Sequence, residues 1–240
     1  DGAGHARRPW PVLLALTACG PLRHRSTETM PPMPDAASPT AAVGPALASA
    51  TSRLGCGDHP SVDALERRLR NERRSSTTAL LARGEAVLPE LQRFVAEAGA
   101  PRGLSLLPAI ESSFRAAARG RRGERGLWQL KERRARQLGL VVTGARDERL
   151  DLELATRAAA HHLLALHERY GDWALTLAAY VAGEGRVDRA LRDRQDATFW
   201  ELADEARLPR TARNFIANVF ALVRIAAPEE CERAADGTLL

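Results

Sequence analysis

Apolar residues recur every three to four positions in several separate stretches, the spacing that gathers them on one face of an α-helix. Residues 85–98 carry Val87, Leu88, Leu91, Phe94 and Val95, and residues 126–138 carry Leu127, Leu130 and Leu138. Residues 155–170 carry Leu163, Leu164 and Leu166 among alanines, residues 173–181 carry Trp173, Leu177 and Tyr180 on one stripe, and residues 211–226 carry Phe215, Val219, Leu222 and Val223. Each stretch predicts a helix. Convincing period-two alternation is absent, and Val141-Val142 is too short to build a sheet. Glycine-rich breaks at 120–126, 144 and 183–185 separate the stretches. The pattern predicts a mostly α fold of short helices.

One polar residue stands on an apolar stripe. Leu104, Leu107, Glu111 and Phe114 are spaced by three, four and three, so Glu111 shares a helical face with leucine and phenylalanine. Pro108 either kinks this helix or restarts it. A buried carboxylate is expensive to ionise, so its pKa should rise. A carboxylic acid that keeps its proton near neutral pH can serve as a general acid. A glutamate bonded to a helix N-terminus or paired with a buried arginine would give the same pattern, and the stripe alone leaves both open.

The N-terminal part reads differently. In residues 7–19 a basic pair precedes a short apolar run, small residues and Cys19, the layout of a secretory signal. Leu16-Thr17-Ala18-Cys19 is similar to a bacterial lipobox, which makes residues 1–18 a signal peptide and Cys19 the lipidated residue. The alternative is a buried apolar strand with an incidental cysteine. Residues 19–58 contain six prolines among Ser, Thr and Ala and show no period, so they are expected to be a tether. The folded part is expected over 59–240, divided as 59–100 (N-terminal helices on the core), 101–192 (the core itself) and 193–240 (C-terminal helices).

Composition narrows the chemistry only a little. The 240 residues hold 35 basic and 30 acidic side chains, a formal net charge of +5. All the basic residues but Lys131 are arginine, and acidic residues are interleaved almost throughout, so no nucleic-acid partner is expected. The mild positive excess suits an anionic polymer or a membrane surface. No stretch reaches the ~20 apolar residues of a spanning helix. Cys56 and Cys231 flank the folded part and could pair in an oxidising compartment, although spacing cannot show that they meet. His161, His162 and His167 do not converge on one helical face, so structural or surface roles are expected and no metal.

Several motifs bear a resemblance in the same order along the chain. Leu107-Pro108-Ala109-Ile110-Glu111-Ser112-Ser113-Phe114 resembles the LPxIESxF motif of lytic murein transglycosylases, the soluble-lytic-transglycosylase (goose-lysozyme-like) superfamily. Gly126-Leu127-Trp128-Gln129 resembles their GLWQ motif, and residues 178–187, AAYVAGEGRV, resemble AAYNAGEGRV. Asp147-Glu148-Arg149-Leu150-Asp151 resembles the DxRxD segment, and Gly171-Asp172-Trp173 the GDW that opens the next helix. Phe199-Trp200-Glu201-Leu202 and Leu208-Pro209-Arg210-Thr211 resemble the FWxL and LPxET elements of the D-type membrane-bound members. The likeness covers about residues 60–228.

The resemblance implies a lysozyme-like helical fold with a catalytic cleft in 101–192. It implies cleavage of the β-1,4 bond between N-acetylmuramic acid and N-acetylglucosamine in peptidoglycan strands, without water and without a cofactor, ending in a 1,6-anhydro sugar. Glu111 matches the single acid-then-base glutamate; Trp128, Gln129, Ala179, Tyr180 and Val181 match residues at the sugar cleft. Ser112 is expected to cap or support, and Glu184, at a helix start, to be structural. An outer-membrane lipoprotein in the periplasm, anchored through Cys19, fits the N-terminal reading.

Three departures stand out. Val181 replaces the family asparagine and can neither donate nor accept a hydrogen bond. Gly120 replaces a frequent serine, and Leu130-Lys131-Glu132-Arg133-Arg134-Ala135 replaces the usual FMPxTA. Arg115, Arg119, Arg121, Arg122 and Arg125 crowd one loop, where they would lower the pKa of Glu111 or grip anionic stem peptides. A non-catalytic peptidoglycan-binding lipoprotein on the same fold, or a hydrolytic muramidase, are the alternatives. The last helix is followed by no repeat resembling a wall-binding module, so grip is expected from the cleft or a partner.

Overall fold

The computed structural model describes residues 54–55 and 57–231. The expected signal peptide at 1–18, Cys19, nearly all of the expected 19–58 tether and Cys56 lie outside the described residues. Among those described, the regular structure is helical: α1 Pro60–Arg70, α2 Arg74–Gly84, α3 Leu88–Glu97, α4 Leu107–Glu111, α5 Glu132–Gln137, α6 Leu152–Tyr170, α7 Trp173–Ala182, α8 Glu184–Leu191, α9 Phe199–Asp204 and α10 Arg210–Ala226. The expected mostly α class is what forms. Strand pairing among the described residues is confined to isolated bridges, including Val142 with Asp147.

The helix boundaries follow from local chemistry. Asp151 caps α6 by accepting the Leu154 amide at 2.8 Å, and Gly171 ends it in a left-handed conformation, φ 67°. The next residue, Asp172, accepts the Leu175 amide at 2.7 Å and so opens α7. Gly171-Asp172 is thereby a stop and a start joined, which folds α7 back onto α6. Gly183, φ 91°, then separates α7 from α8. A reciprocal capping box between Thr198 and Glu201 starts α9.

One core runs through the described residues. α6 packs against α3 and α7, and α10 packs against α1 and α7. Leu91, Val95, Leu104, Leu107, Leu163, Leu177, Ile216 and Val219 meet there without measurable exposure. The stretches expected at 59–100, 101–192 and 193–240 all contribute to it.

One sequence expectation needs correction, and one alternative left open by the sequence is decided. The stripe over 126–138 is not one helix: Gly126 (φ 77°) and Gln129 (φ 46°) are left-handed, and only Glu132–Gln137 is helical. Leu127, Trp128 and Leu130 are nevertheless buried, because a tight turn can point them inward as well as a helix can. Nor is Leu104–Phe114 continuous. A 3₁₀ turn over Arg102–Leu106 precedes α4, Pro108 lies in the first turn of α4, and the helix ends at Glu111. Proline has thus restarted the chain, as its missing amide allows at a helix start.

Candidate active site

Glu111 is the last residue of α4, and the turn after it is strongly specified. The Pro108 carbonyl accepts the amides of Ser112 and Phe114 and the Ser112 hydroxyl, each at 3.0 Å. Ser113 (φ 53°) and Phe114 (φ 57°) are both left-handed, which reverses the chain within two residues. Phe114 still reaches the core, 6% exposed, so the predicted apolar face survives in space although the helix does not. Ser112 supports the turn, as its sequence position implied.

A second turn faces the first. The Arg125 and Leu130 amides and carbonyls exchange hydrogen bonds at 3.1 and 3.2 Å, closing the Gly126-Leu127-Trp128-Gln129 segment. Trp128 is 1% exposed, and its indole Nε1–H donates to Thr156 Oγ1 on α6 at 3.0 Å. Its ring is therefore a wall of the cleft held from behind, not an open platform. Gln129 Nε2 donates to the Gly126 carbonyl at 2.8 Å, fixing its amide. Beneath the turn lies Arg149, which is salt-bridged to Asp147 at 2.7 Å and donates from Nη1 to the Gly123 and Leu130 carbonyls. Asp147, Arg149 and Asp151 thus brace the cleft and start α6.

Between these turns and α7 lies a cavity of about 470 Å³. Glu111, Trp128, Gln129, Tyr180 and Val181 line it, together with Arg122, Glu124, Lys131, Arg133, Arg134 and His162. Thr211, Ala212 and Phe215 close it from α10. Ala179, expected at the cleft, is instead 3% exposed in the core, because it projects about 100° round α7 from Tyr180 and about 160° from Val181.

The electrostatics single out one carboxyl. Burial, followed by the negative charge of Glu124, pushes Glu111 up to about pKa 7. The arginines of the 115–125 loop, expected to lower it, do not: no arginine contributes to its shift. Tyr180 donates its hydroxyl proton to the Trp128 carbonyl at 3.3 Å, and burial plus the charge of Glu111 hold its ionisation well above the ordinary range. His162, 5.8 Å from the Tyr180 ring, is lowered to about pKa 4 by burial and by Arg134, so it is neutral at pH 7.

Sequence reasoning missed Glu124, His162 and the α10 residues. His162 does not share a face with His161 and His167, so spacing alone gives no sign of its place on the cleft; His167 instead stacks on Trp173. Glu184 opens α8 and bridges to Arg169 at 2.9 Å, the structural role expected.

The transglycosylase SLT domain family matches residues 93–203. Over 127 residues the chain is 35% identical to the membrane-bound lytic murein transglycosylase D of Escherichia coli (strain K12), covering 51% of this chain and 27% of that protein. Over 111 residues it is 39% identical to a protein of Alteromonas sp. (strain M-1) named for tributyltin chloride resistance, covering 46% of this chain and 54% of that protein. Among solved structures, a lytic transglycosylase Slt from Pseudomonas aeruginosa aligns with TM-score 0.48 and 23% identity, over 61% of this chain and 24% of that one. The chain thus spans about a quarter of the length of the first of these relatives (27%).

Proposed function

We propose that the chain, whose residues 93–203 match the transglycosylase SLT domain family, is a lytic transglycosylase cutting the β-1,4 bond between N-acetylmuramic acid and N-acetylglucosamine. The observation that carries this reading is Glu111: a carboxyl on a polar cleft, pushed up to about pKa 7 by burial, with no cation neutralising it among the described residues. Such a group holds a proton near neutrality and is also basic enough to take one back.

The proposed cycle uses that proton twice. Protonated Glu111 donates to the glycosidic oxygen as the bond from the muramoyl C1 to that oxygen breaks. The substrate's acetamido oxygen supports the positive charge at C1. Ionised Glu111 then accepts the proton of the muramoyl C6 hydroxyl as that oxygen bonds to C1 and closes the 1,6-anhydro ring. Glu111 finishes protonated and no water is consumed. One carboxyl suffices for this sequence, whereas hydrolysing glycosidases generally need a pair. Trp128 and Gln129 would shape the sugar site, and Tyr180 would hold the cleft wall.

One feature favours a second reading, a peptidoglycan-binding protein without turnover. Val181 lines the cleft where the family motif carries asparagine, so no amide is offered to the substrate there. For the anchored location, support comes from the order of residues 7–19 and from a relative whose name is membrane-bound. None of the described helices is long and apolar enough to cross a membrane. The proposed attachment is a lipid on Cys19, which would place the protein in the periplasm at the outer membrane.

The test is mass analysis of fragments released from purified peptidoglycan by the full chain and by Glu111→Gln. Anhydro-muramoyl ends from the wild type alone are expected. Reducing ends would make it a hydrolase, and binding without release would favour the second reading.

A further inference from the structure

Gly120 is glycine for room, not for backbone. Its φ lies outside the left-handed region, so any residue could adopt its conformation. A Cβ there would lie 2.3 Å from Glu124 Oε2, 2.7 Å from Glu124 Cβ and 2.9 Å from Gln129 Oε1. Because one of those atoms is the Cβ of Glu124, rotation of the glutamate tip would not relieve the clash. The loop is also tied there, since the Gly120 amide donates to the Glu124 carbonyl at 2.9 Å and Arg119 bridges to Arg125. The missing side chain at 120 is the space the Glu124 carboxyl occupies.

That carboxyl has fixed partners and faces the cleft. Glu124 Oε2 accepts the Arg122 amide at 2.8 Å, and Oε1 lies 3.7 Å from Lys131 Nζ. Burial works against its charge, but the amides of Arg122 and Glu124, with the positive charges of Lys131 and Arg122, outweigh it and hold the group below the usual carboxylate range. Glu124 is thus an anion in the same cavity as Glu111. Its counter-charges, Arg122 and Lys131, line the same cavity. Of the other charged or titratable groups on this cavity, Arg122 and Lys131 attend Glu124, Arg134 bridges to Glu184, Arg133 is exposed, and His162 and Tyr180 are uncharged at neutral pH.

We infer that Glu124 is a second working carboxyl of the cleft, a positioning residue that the space over Gly120 admits to the same cavity as Glu111 and whose charge acts on Glu111 there. This rests on the role proposed above for Glu111. Two carboxyls in one cavity, one held ionised and the other held protonated, are the arrangement in which one acts as acid while its neighbour stays charged. The anion favours the protonated acid before bond cleavage and favours return of the proton from the C6 hydroxyl afterwards. Replacing the family's serine by glycine is then an exchange of one polar group for another: the hydroxyl at 120 is lost and the carboxyl of 124 fills its place.

The test is the titration of Glu111 in the full chain carrying ¹³C-carboxyl glutamate, followed by NMR and assigned with Glu111→Gln. In Glu124→Gln the Glu111 midpoint is expected to fall by about half a pH unit or more. Gly120→Ala, which expels the carboxyl, is expected to shift it the same way, and in the pair of substitutions the shifts do not add. The alkaline limb of peptidoglycan cleavage should move to lower pH in parallel. An unchanged Glu111 midpoint in natively folded Glu124→Gln overturns the inference, and this variant decides alone if Gly120→Ala does not fold. If the midpoint moves but the wild type releases no fragments, the pair stands and the proposed activity fails; if fragments form and neither midpoint nor limb moves, the reverse holds.

Discussion

The Tyr180 hydroxyl donates to the main-chain carbonyl of Trp128 at 3.3 Å, tying α7 to the turn that carries Gln129 across 52 residues of chain. Both ends of this link are on the cleft. Tyr180→Phe removes the donor and leaves the ring. The expected loss is about 1 kcal/mol of stability, read from the denaturant midpoint. The rate of fragment release is expected to drop by about tenfold, chiefly in kcat, because roughly 1.4 kcal/mol of misplacement is enough for that.

Glu111 should make the protein less stable as pH rises. Its folded pKa of about 7 lies above the ordinary 4.5. Between those values the folded state binds more proton than the unfolded chain, so stability falls with rising pH through that window and stays low above it. The gap corresponds to about 3 kcal/mol. Glu111→Gln removes the penalty. Thermal or urea unfolding is expected to find the variant equal to wild type near pH 4.5 and more stable by a few kcal/mol at pH 8, while cleavage is lost. Parallel pH curves for the two proteins would contradict this.

The fold and its buried cleft carboxyl were legible in the sequence for different reasons. Long stripes such as 155–170 and 211–226 gave helices because burial of one face requires that period, and α6 and α10 follow them closely. Residues 126–131 misled because leucine and tryptophan at near-helical spacing are buried equally well by a turn, and nothing in their apolar pattern shows that Gln129 is left-handed. Glu111 stood out as a charge on an apolar stripe. Glu124 did not, since its meaning depends on the space over Gly120, and space between residues in a loop is a property of the folded chain. The arginine-rich loop was read for its charge alone, whereas its guanidinium groups do not contribute to the shift of Glu111.

Gly126 is expected to be far less replaceable than other glycines. It has φ 77°, and a Cβ would lie 1.9 Å from the Arg149 carbonyl oxygen. Gly126→Ala therefore adds left-handed strain of about 1–2 kcal/mol to a backbone collision. Relieving the collision would pull the turn from the buried Arg149 that donates to the Leu130 and Gly123 carbonyls. A loss of about 3 kcal/mol or more is expected in urea unfolding. Gly144→Ala is the control, since Gly144 is not left-handed and a Cβ there meets nothing within 4 Å; it is expected to be neutral or to stabilise by about 0.5 kcal/mol.

Residues 230–231 are held beside residues 54–55. Glu230 Oε2 accepts the Leu54 amide at 3.2 Å, and Cys231 Sγ lies 3.7 Å from the Gly55 carbonyl. Cys56 follows Gly55 in the sequence and lies outside the described residues, and the Cys56–Cys231 pairing is the expectation to be tested. Oxidatively refolded protein is expected to yield a peptide cross-linked through these cysteines in non-reducing mass spectrometry. Reduction is expected to lower stability by about 2–4 kcal/mol. Recovery of both cysteines as alkylated thiols without prior reduction would exclude the bond.

Val181 is the substitution whose reversal is most informative. It sits in the last turn of α7, partly buried against the core, with its exposed side on the cleft. Asparagine would return a donor and an acceptor to that wall, at a cost of up to about 1 kcal/mol from lost apolar burial. If the cleft is an enzyme working below the capacity of its scaffold, Val181→Asn should raise kcat for fragment release by about tenfold, leaving affinity for peptidoglycan nearly unchanged. That split matters, because an amide that only helped to bind would raise affinity and leave kcat where it was. A variant that folds, binds and cuts no faster would mean that this cleft performs its chemistry without the amide. Kinetics on purified peptidoglycan, with binding measured separately in the Glu111→Gln background, distinguishes these outcomes.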